Sequence, residues 1–312
     1  MSAYGIPYKG GKSKIVKWLV ESLPPAEHFY DLFCGGCAVT HYAMLARKWE
    51  QYNINDLNGM MPQMFVDGAH GKFVGEDRWI SRDEFFRTKD FDGYSAVCFS
   101  FGNDLKSYAY SKELEPIKMA AHYAIMFGEH KYLKEVWGDD FAEIERSTKV
   151  YERYLIYKRL VLQKAKRGDL SHLENLNRSL SLERLQSLQS LQSLQSLQSL
   201  HSLQSLQSLQ SYKTDYQNVK ILPNSTVYCD IPYKGTNKYV QGTFDYDRFY
   251  DWADSRDYPV FISEYNMPQE FAPIAQTARK DTMCATNNNL LKAEKIFVQK
   301  RYADRYKRDL FI

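Results

Sequence analysis

A short apolar run, His28 to Phe33, ends abruptly at Cys34-Gly35-Gly36, and a second largely apolar segment, Ala38 to Trp49, follows at once. The first segment reads as a strand, the glycine pair as a tight turn and the second segment as a helix. Tyr52 to Ile54 reads as a second short strand that stops at Asn55-Asp56. A strand-turn-helix-strand unit of this kind places its two strands parallel in an α/β sheet, because the crossover helix must pack back on the sheet. Ahead of it, Ser13 to Leu23 carries Ile15, Val16, Trp18, Leu19 and Leu23 near a helical period, and Pro24-Pro25 stops it.

The pattern changes after about residue 60. Up to about residue 184 the chain reads as several helices with little strand alternation. One of them, Ser147 to Arg167, carries Lys149, Arg153, Lys158, Arg159, Lys164, Lys166 and Arg167 against the single acid Glu152. Such a helix is either a solvated face or a surface that follows phosphates. Residues 185–211 repeat Leu-Gln-Ser nine times, with His201 in place of one glutamine. Leucine at every third position matches neither a helical stripe nor a strand face. The repeat bears no chemistry, and reads as a length-tolerant spacer or an added packing element. Removal of two units is expected to leave the fold mostly intact. The α/β pattern then resumes: Val219–Leu222, Thr226–Cys229, Pro259–Ser263 and Lys295–Lys300 read as strands, and Phe249–Asp254 as a helix.

Bulk properties narrow the class. With 312 residues, 44% hydrophobic and 25% charged, the chain supports a large core and a second, smaller domain. The formal net charge of +3 neither demands nor excludes nucleic acid. The five cysteines (Cys34, Cys37, Cys98, Cys229 and Cys284) are odd in number and do not read as a disulfide scaffold. Cys34 and Cys37 form a C-x-x-C, but no second pair accompanies them to complete a four-ligand zinc site. No metal is expected. No apolar stretch approaches the roughly 20 residues of a membrane span, and the N-terminus lacks a secretory signal, so a cytoplasmic protein is expected.

Four constellations carry possible chemistry. The turn in Asp31-Leu32-Phe33-Cys34-Gly35-Gly36-Cys37 lets a ligand approach the backbone at a helix N-terminus, and a plain tight turn explains the same residues. Asp56 lies about 20 residues beyond it, after the second strand, where an acid accepts hydrogen bonds from ribose hydroxyls or simply caps a helix. Tyr228-Cys229-Asp230-Ile231-Pro232-Tyr233 delivers a carboxylate, a carbonyl and an aromatic ring to one strand end. A carboxylate and a carbonyl are the acceptors that an exocyclic amine needs, and a flat tyrosine stacks on its ring. A strand-ending turn has the same composition. Finally, Pro7-Tyr8-Lys9-Gly10-Gly11-Lys12 sets two lysines about a glycine pair before a helix, without P-loop spacing.

The order of these motifs resembles that of the Dam-type DNA adenine N6-methyltransferases. PYKGGK resembles their opening motif, DLFCGGCAV their cofactor loop, and YNINDLN the segment whose acid holds a ribose. Asp215-Tyr216 resembles an Asp-Phe segment beside the cofactor adenine. DIPY resembles their catalytic Asp-Pro-Pro-Tyr, with Ile231 in place of a proline. FDYDRFYDWA, PVFISEY and AEKIFV resemble later segments. The likeness covers about residues 1–60 and 212–312.

The resemblance implies a Rossmann-like, S-adenosylmethionine-dependent α/β sheet formed by residues 1–60 and 212–312. Residues 61–184 would be a helical target-recognition insert, and 185–211 the repeat. Methyl transfer to N6 of an adenine flipped out of double-stranded DNA is the implied activity. Asp230, Ile231, Pro232 and Tyr233 would be catalytic. Tyr8, Lys12, Asp31, Phe33, Gly35, Gly36, Asp56, Asp215 and Tyr216 would hold S-adenosylmethionine. Lys106 and Tyr108 in FGNDLKSYAY, with Lys149, Arg153, Lys158 and Arg159, would contact DNA. Ile231 keeps the backbone extended before Pro232, so activity is expected to survive, if slowed. Methylation of cytosine N4 or of RNA adenine uses the same acceptors, and a silent DNA-binding protein with this fold is a further alternative. A nicotinamide-dependent oxidoreductase would want the full G-x-G-x-x-G and leaves Asp230–Tyr233 without a role.

Overall fold

The computed structural model describes residues 4–8, 10–137, 139–167, 188–204, 208–233, 244–280 and 291–307. Cys284, residues 168–184 of the expected insert, and repeat residues 185–187 and 205–207 lie outside this set. The chain divides into two compact units, which are described separately. One comprises Met1, Pro7–Lys9 and Phe73–Gln198; the other comprises Ser2–Ile6, Gly10–Lys72 and Ser199–Ile312. Beyond the N-terminal segment, the divisions fall between residues 72 and 73 and inside the repeat, between 198 and 199.

The second unit is built on a seven-stranded sheet of order β3-β2-β1-β4-β5-β7-β6. Its strands are β1 His28–Asp31, β2 Gln51–Asn55, β3 Leu209–Tyr212, β4 Ser225–Cys229, β5 Val260–Glu264, β6 Phe271–Lys280 and β7 Leu291–Gln299. β3, β2, β1, β4 and β5 run parallel, whereas β7 is antiparallel to both β5 and β6. Helices α1 (Val16–Ser22), α2 (Ala38–Ala46) and α3 (Met60–Ala69) accompany the first half. The chain leaves β1 for β2 on one side and later returns to place β4 on the other. Strand order thus reverses between β1 and β4, the point in an open α/β sheet where a crevice forms at the carboxyl ends of the strands. Asp31 pairs in register with Tyr228, so Asp31 and Asp230 end up at that same edge.

β1, β2, β4 and β5 are buried on both faces, which explains their short, nearly continuous apolar runs. A cluster containing Tyr30, Leu32, Val227, Cys229, Ile231, Val260, Ile262, Phe249 and Trp252 fills one side. Ile231 is 1% exposed and belongs to this cluster, so its side chain anchors the segment in the core. Polar ties join the distant parts of the sequence. Trp49 Nε1 donates to Thr226 Oγ1 at 3.0 Å, and Thr226 Oγ1 donates to the Pro24 carbonyl at 2.8 Å.

Three details differ from the sequence reading. Val219–Leu222 forms no strand: a 3₁₀ turn at Tyr216–Asn218 precedes it, and Pro223 with left-handed Asn224 (φ 55°) interrupts the extended chain. β6 carried no clear alternation; it contains Pro273 and a register shift between Pro273 and Ala275, and exists through its pairing with β7. β7 also begins at Leu291, four positions ahead of Lys295, and so includes Glu294.

The first unit is helical, with α4 Arg82–Thr88, α5 Gly93–Cys98, α6 Glu115–Phe127, α7 Lys131–Trp137, α8 Val150–Arg167 and α9 Gln189–Ser199. No helix among the described residues is long and apolar enough to cross a membrane. α9 is repeat sequence. Each Leu-Gln-Ser step along an α-helix rotates the leucine by about 60°. The α-helix therefore lasts only to Ser199 before a 3₁₀ turn, Leu200–Leu203, in which every third residue stacks. Leu188, Leu191, Leu194, Leu197, Leu200 and Leu203 are all buried. Tyr110 hydroxyl meets Ser190 Oγ at 3.0 Å, and Asn103 Nδ2 donates to Ser193 Oγ at 3.0 Å. Residues 188–204 are thus packed, the second of the two readings of the repeat. Truncating a fully buried leucine removes about 2–5 kcal/mol. Leu197→Ala should therefore lower unfolding free energy by that amount in urea titrations, and a change under about 0.5 kcal/mol, the range of an ordinary surface substitution, would show that α9 is not packed.

Candidate functional site

The site gathers at the carboxyl edge of β1, β2, β4 and β5 and the start of β7, entirely within the sheet unit. Its floor is the turn after β1. Gly35 takes φ 46° and Cys37 φ 57°, both left-handed, and α2 starts immediately afterwards. Gly35 supplies that conformation without a Cβ penalty. Cys34 N–H reaches the Asn55 carbonyl at 3.0 Å, and Asp56 Oδ2 accepts from Gly35 N–H at 3.0 Å. Asp56 Oδ1 accepts from Asn58 N–H at 2.8 Å. Asp56 therefore braces the turn, with lone pairs left over; burial raises its pKa.

The N-terminal segment is fastened to the same turn. Ile6 N–H donates to the Gly36 carbonyl at 2.7 Å, and Gly5 N–H donates to His41 Nδ1 at 2.8 Å. Gly5 sits at φ 71°, and a Cβ there would lie 2.3 Å from Gly36 O, so only glycine fits. Burial lowers the His41 pKa to about 4, which keeps the ring a neutral acceptor. His41 is a positioning residue that sequence reasoning missed, because a histidine inside an apolar helix carries no local signal.

Asp31 closes β1 at 1% exposure. Thr40 Oγ1, in the first turn of α2, donates to its Oδ2 at 2.8 Å, while Oδ1 has no hydrogen-bond partner among the described residues. Burial lifts its pKa to about 7, opposed by Thr40 and reinforced by Asp230 and Asp56. Beside it, Phe33 packs on Tyr216 with centroids 5.2 Å apart, and Phe244 and Phe249 complete an aromatic wall. Asn55 holds that wall in place: its Nδ2 donates to the Leu32 and Thr214 carbonyls at 3.1 Å each. Asp215 caps the 3₁₀ turn and pairs with Arg248 at 3.1 Å, so its carboxylate is already engaged.

Lys12 is the centre of charge. Only 4% exposed, its Nζ lies 2.7 Å from Asp230 Oδ1 and 3.4 Å from Glu294 Oε1. It also donates to the Tyr233 hydroxyl and lies 4.3 Å from that ring's centroid. Tyr233 hydroxyl in turn donates to Glu294 Oε1. Burial pulls the Lys12 pKa down, but Asp230 and Glu294 together carry it above the ordinary value. Tyr265 meets the Tyr233 ring edge-on at 4.8 Å, and Glu264 is buried at the adjacent end of β5. The sequence placed Lys12, Asp31, Phe33, Gly35, Gly36, Asp56, Asp215, Tyr216 and Asp230–Tyr233 in one site, and the structure brings them together. Glu294 and Tyr265 went unnoticed: Glu294 lies within β7, whose pairing with β5 and β6 the sequence does not reveal, and Tyr265 follows the end of β5. Tyr8, half-buried, groups with the helical unit.

Cys34 and Cys37 are free thiols in the turn, both raised in pKa chiefly by burial. No group of three or more potential metal ligands exists among the described residues.

In the helical unit, Lys106, Lys149 and Arg159 are exposed and Lys158 is half-exposed. Lys149 pairs with Glu152 at 3.1 Å and Arg159 with Glu143 at 2.5 Å. Two expected DNA contacts are corrected. Tyr108 is buried, its hydroxyl donating to the Ile80 carbonyl at 2.8 Å. Arg153 is buried against the end of α6, donating to the Ile125 and Met126 carbonyls at 2.6 Å each. A guanidinium that satisfies orphan helix carbonyls is held there by the helix dipole and is not presented to a phosphate.

Residues 8–66, less than half of the chain, match the family model of the D12 class N6 adenine-specific DNA methyltransferases. No curated protein matches the chain. Over that stretch the match supports the family resemblance read from the motifs.

Asp31 generates a pH prediction. Its folded pKa of about 7 exceeds that of an unfolded aspartate, so the folded chain binds the extra proton. Folding stability from this group is therefore greatest at low pH and is lost as pH rises from about 4 to about 7. Asp31→Asn keeps an acceptor for Thr40 and should stabilise the protein more at pH 8 than at pH 5. Equal effects at both values in urea titrations would contradict the buried, raised carboxyl.

Proposed function

We propose that this chain is an S-adenosylmethionine-dependent DNA methyltransferase that modifies the exocyclic amine N6 of adenine. The observation that carries this reading is the meeting of Asp230 and Tyr233 with the glycine turn and Asp31 at one sheet edge. The family match over residues 8–66 supports adenine in DNA as the substrate.

The residues suit a cationic donor carrying an adenine. Asp31 Oδ1 lacks a partner among the described residues, and Glu294 and Asp230 add further carboxylate. The turn 34–37 and Asp56 would hold the sugar and amino-acid parts, and Phe33 with Tyr216 would flank the adenine ring. When bound, S-adenosylmethionine supplies an electrophilic methyl group on a sulfonium.

The chain's own residues orient the acceptor. Asp230 and the Ile231 carbonyl accept the two N6–H hydrogens and direct the nitrogen lone pair. Tyr233 stacks on the base. Adenine within a duplex does not expose N6 this way, so the base is extruded. The forming N–CH₃ bond leaves N6 with one proton too many, and Asp230 is placed to accept it. Lys106, Lys149, Lys158 and Arg159 would hold DNA phosphates.

Asp230→Ala should reduce transfer of labelled methyl from S-adenosylmethionine to duplex DNA by at least about 100-fold, the contribution of a positioned acid–base group. Donor affinity, read by equilibrium dialysis, should change little. Turnover within about two-fold of wild type would remove Asp230 from the reaction; DNA binding without any transfer by the wild type would favour a silent DNA-binding protein.

A further inference from the structure

The Lys12 ammonium occupies an unusual place. It makes two contacts that the proposed reaction assigns to the substrate base: a hydrogen bond to the Asp230 carboxylate, at 2.7 Å, and an approach to the Tyr233 ring, at 4.3 Å. An incoming N6 amine and Lys12 therefore compete for Asp230. Lys12 is too deeply buried to retreat to water, and a buried ammonium that loses its carboxylate is strongly destabilised. A second carboxylate is present. Glu294, at the start of β7 and fully buried, lies 3.4 Å from Lys12 Nζ through Oε1, while its Oε2 has no hydrogen-bond partner among the described residues. The same Oε1 accepts from the Tyr233 hydroxyl and so fixes the ring that would stack on the base.

We propose that Glu294 is a positioning residue for amine methylation: it retains the Lys12 ammonium when the substrate amine takes Asp230, and it holds Tyr233 in place throughout. This inference rests on the methyl-transfer reading, which counts Glu294 only among the carboxylates near the donor. The groups facing Lys12 are consistent with it. Asp230 and Tyr233 come from the end of β4 and Glu294 from β7, while Asp31 at the end of β1 and Tyr228 within β4 lie close enough to share the field. Glu264, at the end of β5, is paired with Lys295 and so falls on the other face of the sheet from Glu294. With fewer than two carboxylates near it, the ammonium would have no alternative partner, and Asp230 would stay blocked.

Glu294→Gln separates this role from simple packing, because glutamine keeps the shape and an acceptor for Tyr233 but removes the charge. The full-length protein, labelled with ¹³Cε-lysine and with the Lys12 signal assigned through Lys12→Met, reports the ammonium directly. Glu294→Gln should shift the Lys12 titration to lower pH, and should lower kcat for duplex DNA about ten-fold with KM for DNA within about two-fold. Glu294→Asp keeps the charge, and should keep a titration near that of wild type and recover part of kcat. An unchanged Lys12 titration in Glu294→Gln overturns the proposal, as does a shifted titration with wild-type turnover. If the wild type transfers no methyl group at all, the functional reading fails. The retention of Lys12 by Glu294 is still decided by the titration alone.

Discussion

One buried ammonium holds the site together. Lys12 comes from the N-terminal segment, Asp230 and Tyr233 from the end of β4, and Glu294 from β7. Side chains more than two hundred positions apart thus meet at a single nitrogen. A desolvated cation requires such company: each carboxylate offsets part of its lost hydration, and removal of either leaves the remainder unbalanced. The arrangement also constrains the backbone, since Gly5 and Ile6, just upstream, are fastened to the glycine turn through Gly36 and His41. The N-terminal segment, the turn and the strand ends are therefore parts of one structure.

The acidity of the edge has a physical logic. Asp31, Asp56, Asp230 and Glu294 lie at this edge, with Lys12 as the counter-charge identified among them. Burial, reinforced by the neighbouring Asp230 and Asp56 carboxylates, raises the Asp31 pKa to about 7. Such an edge is tuned to receive positive or hydrogen-bond-donating groups. A sulfonium donor and an exocyclic amine are both of that kind, and the aromatic surfaces of Phe33, Tyr216 and Tyr233 suit two flat rings.

Much of this was legible in the sequence. The glycine turn, the second strand and Asp56 follow local rules, and β1, α2, β2, β4 and β5 formed close to where the apolar runs placed them. What escaped was set by partners far along the chain. β6, with Pro273 and little alternation, exists because β7 pairs with it, and Glu294 joins the site only because β7 runs antiparallel beside β5. The repeat was unreadable for another reason: a three-residue period matches no regular element, and the chain resolves it by changing from α-helix to 3₁₀ at Leu200. Arg153 and Tyr108 show the converse error. Charge and aromaticity suggested DNA, whereas burial against helix ends and carbonyls uses both for structure.

The claim that Lys12 and Asp230 form the electrostatic centre of the folded site is tested most directly by a double-mutant cycle. Unfolding free energies of Lys12→Met, Asp230→Asn and the combined variant are compared with wild type by urea titration. The account predicts that the double variant costs less than the two single changes together, with a coupling of at least about 1 kcal/mol, as for residues in one buried network. Additive effects would mean that the two groups do not sense each other, and would contradict it.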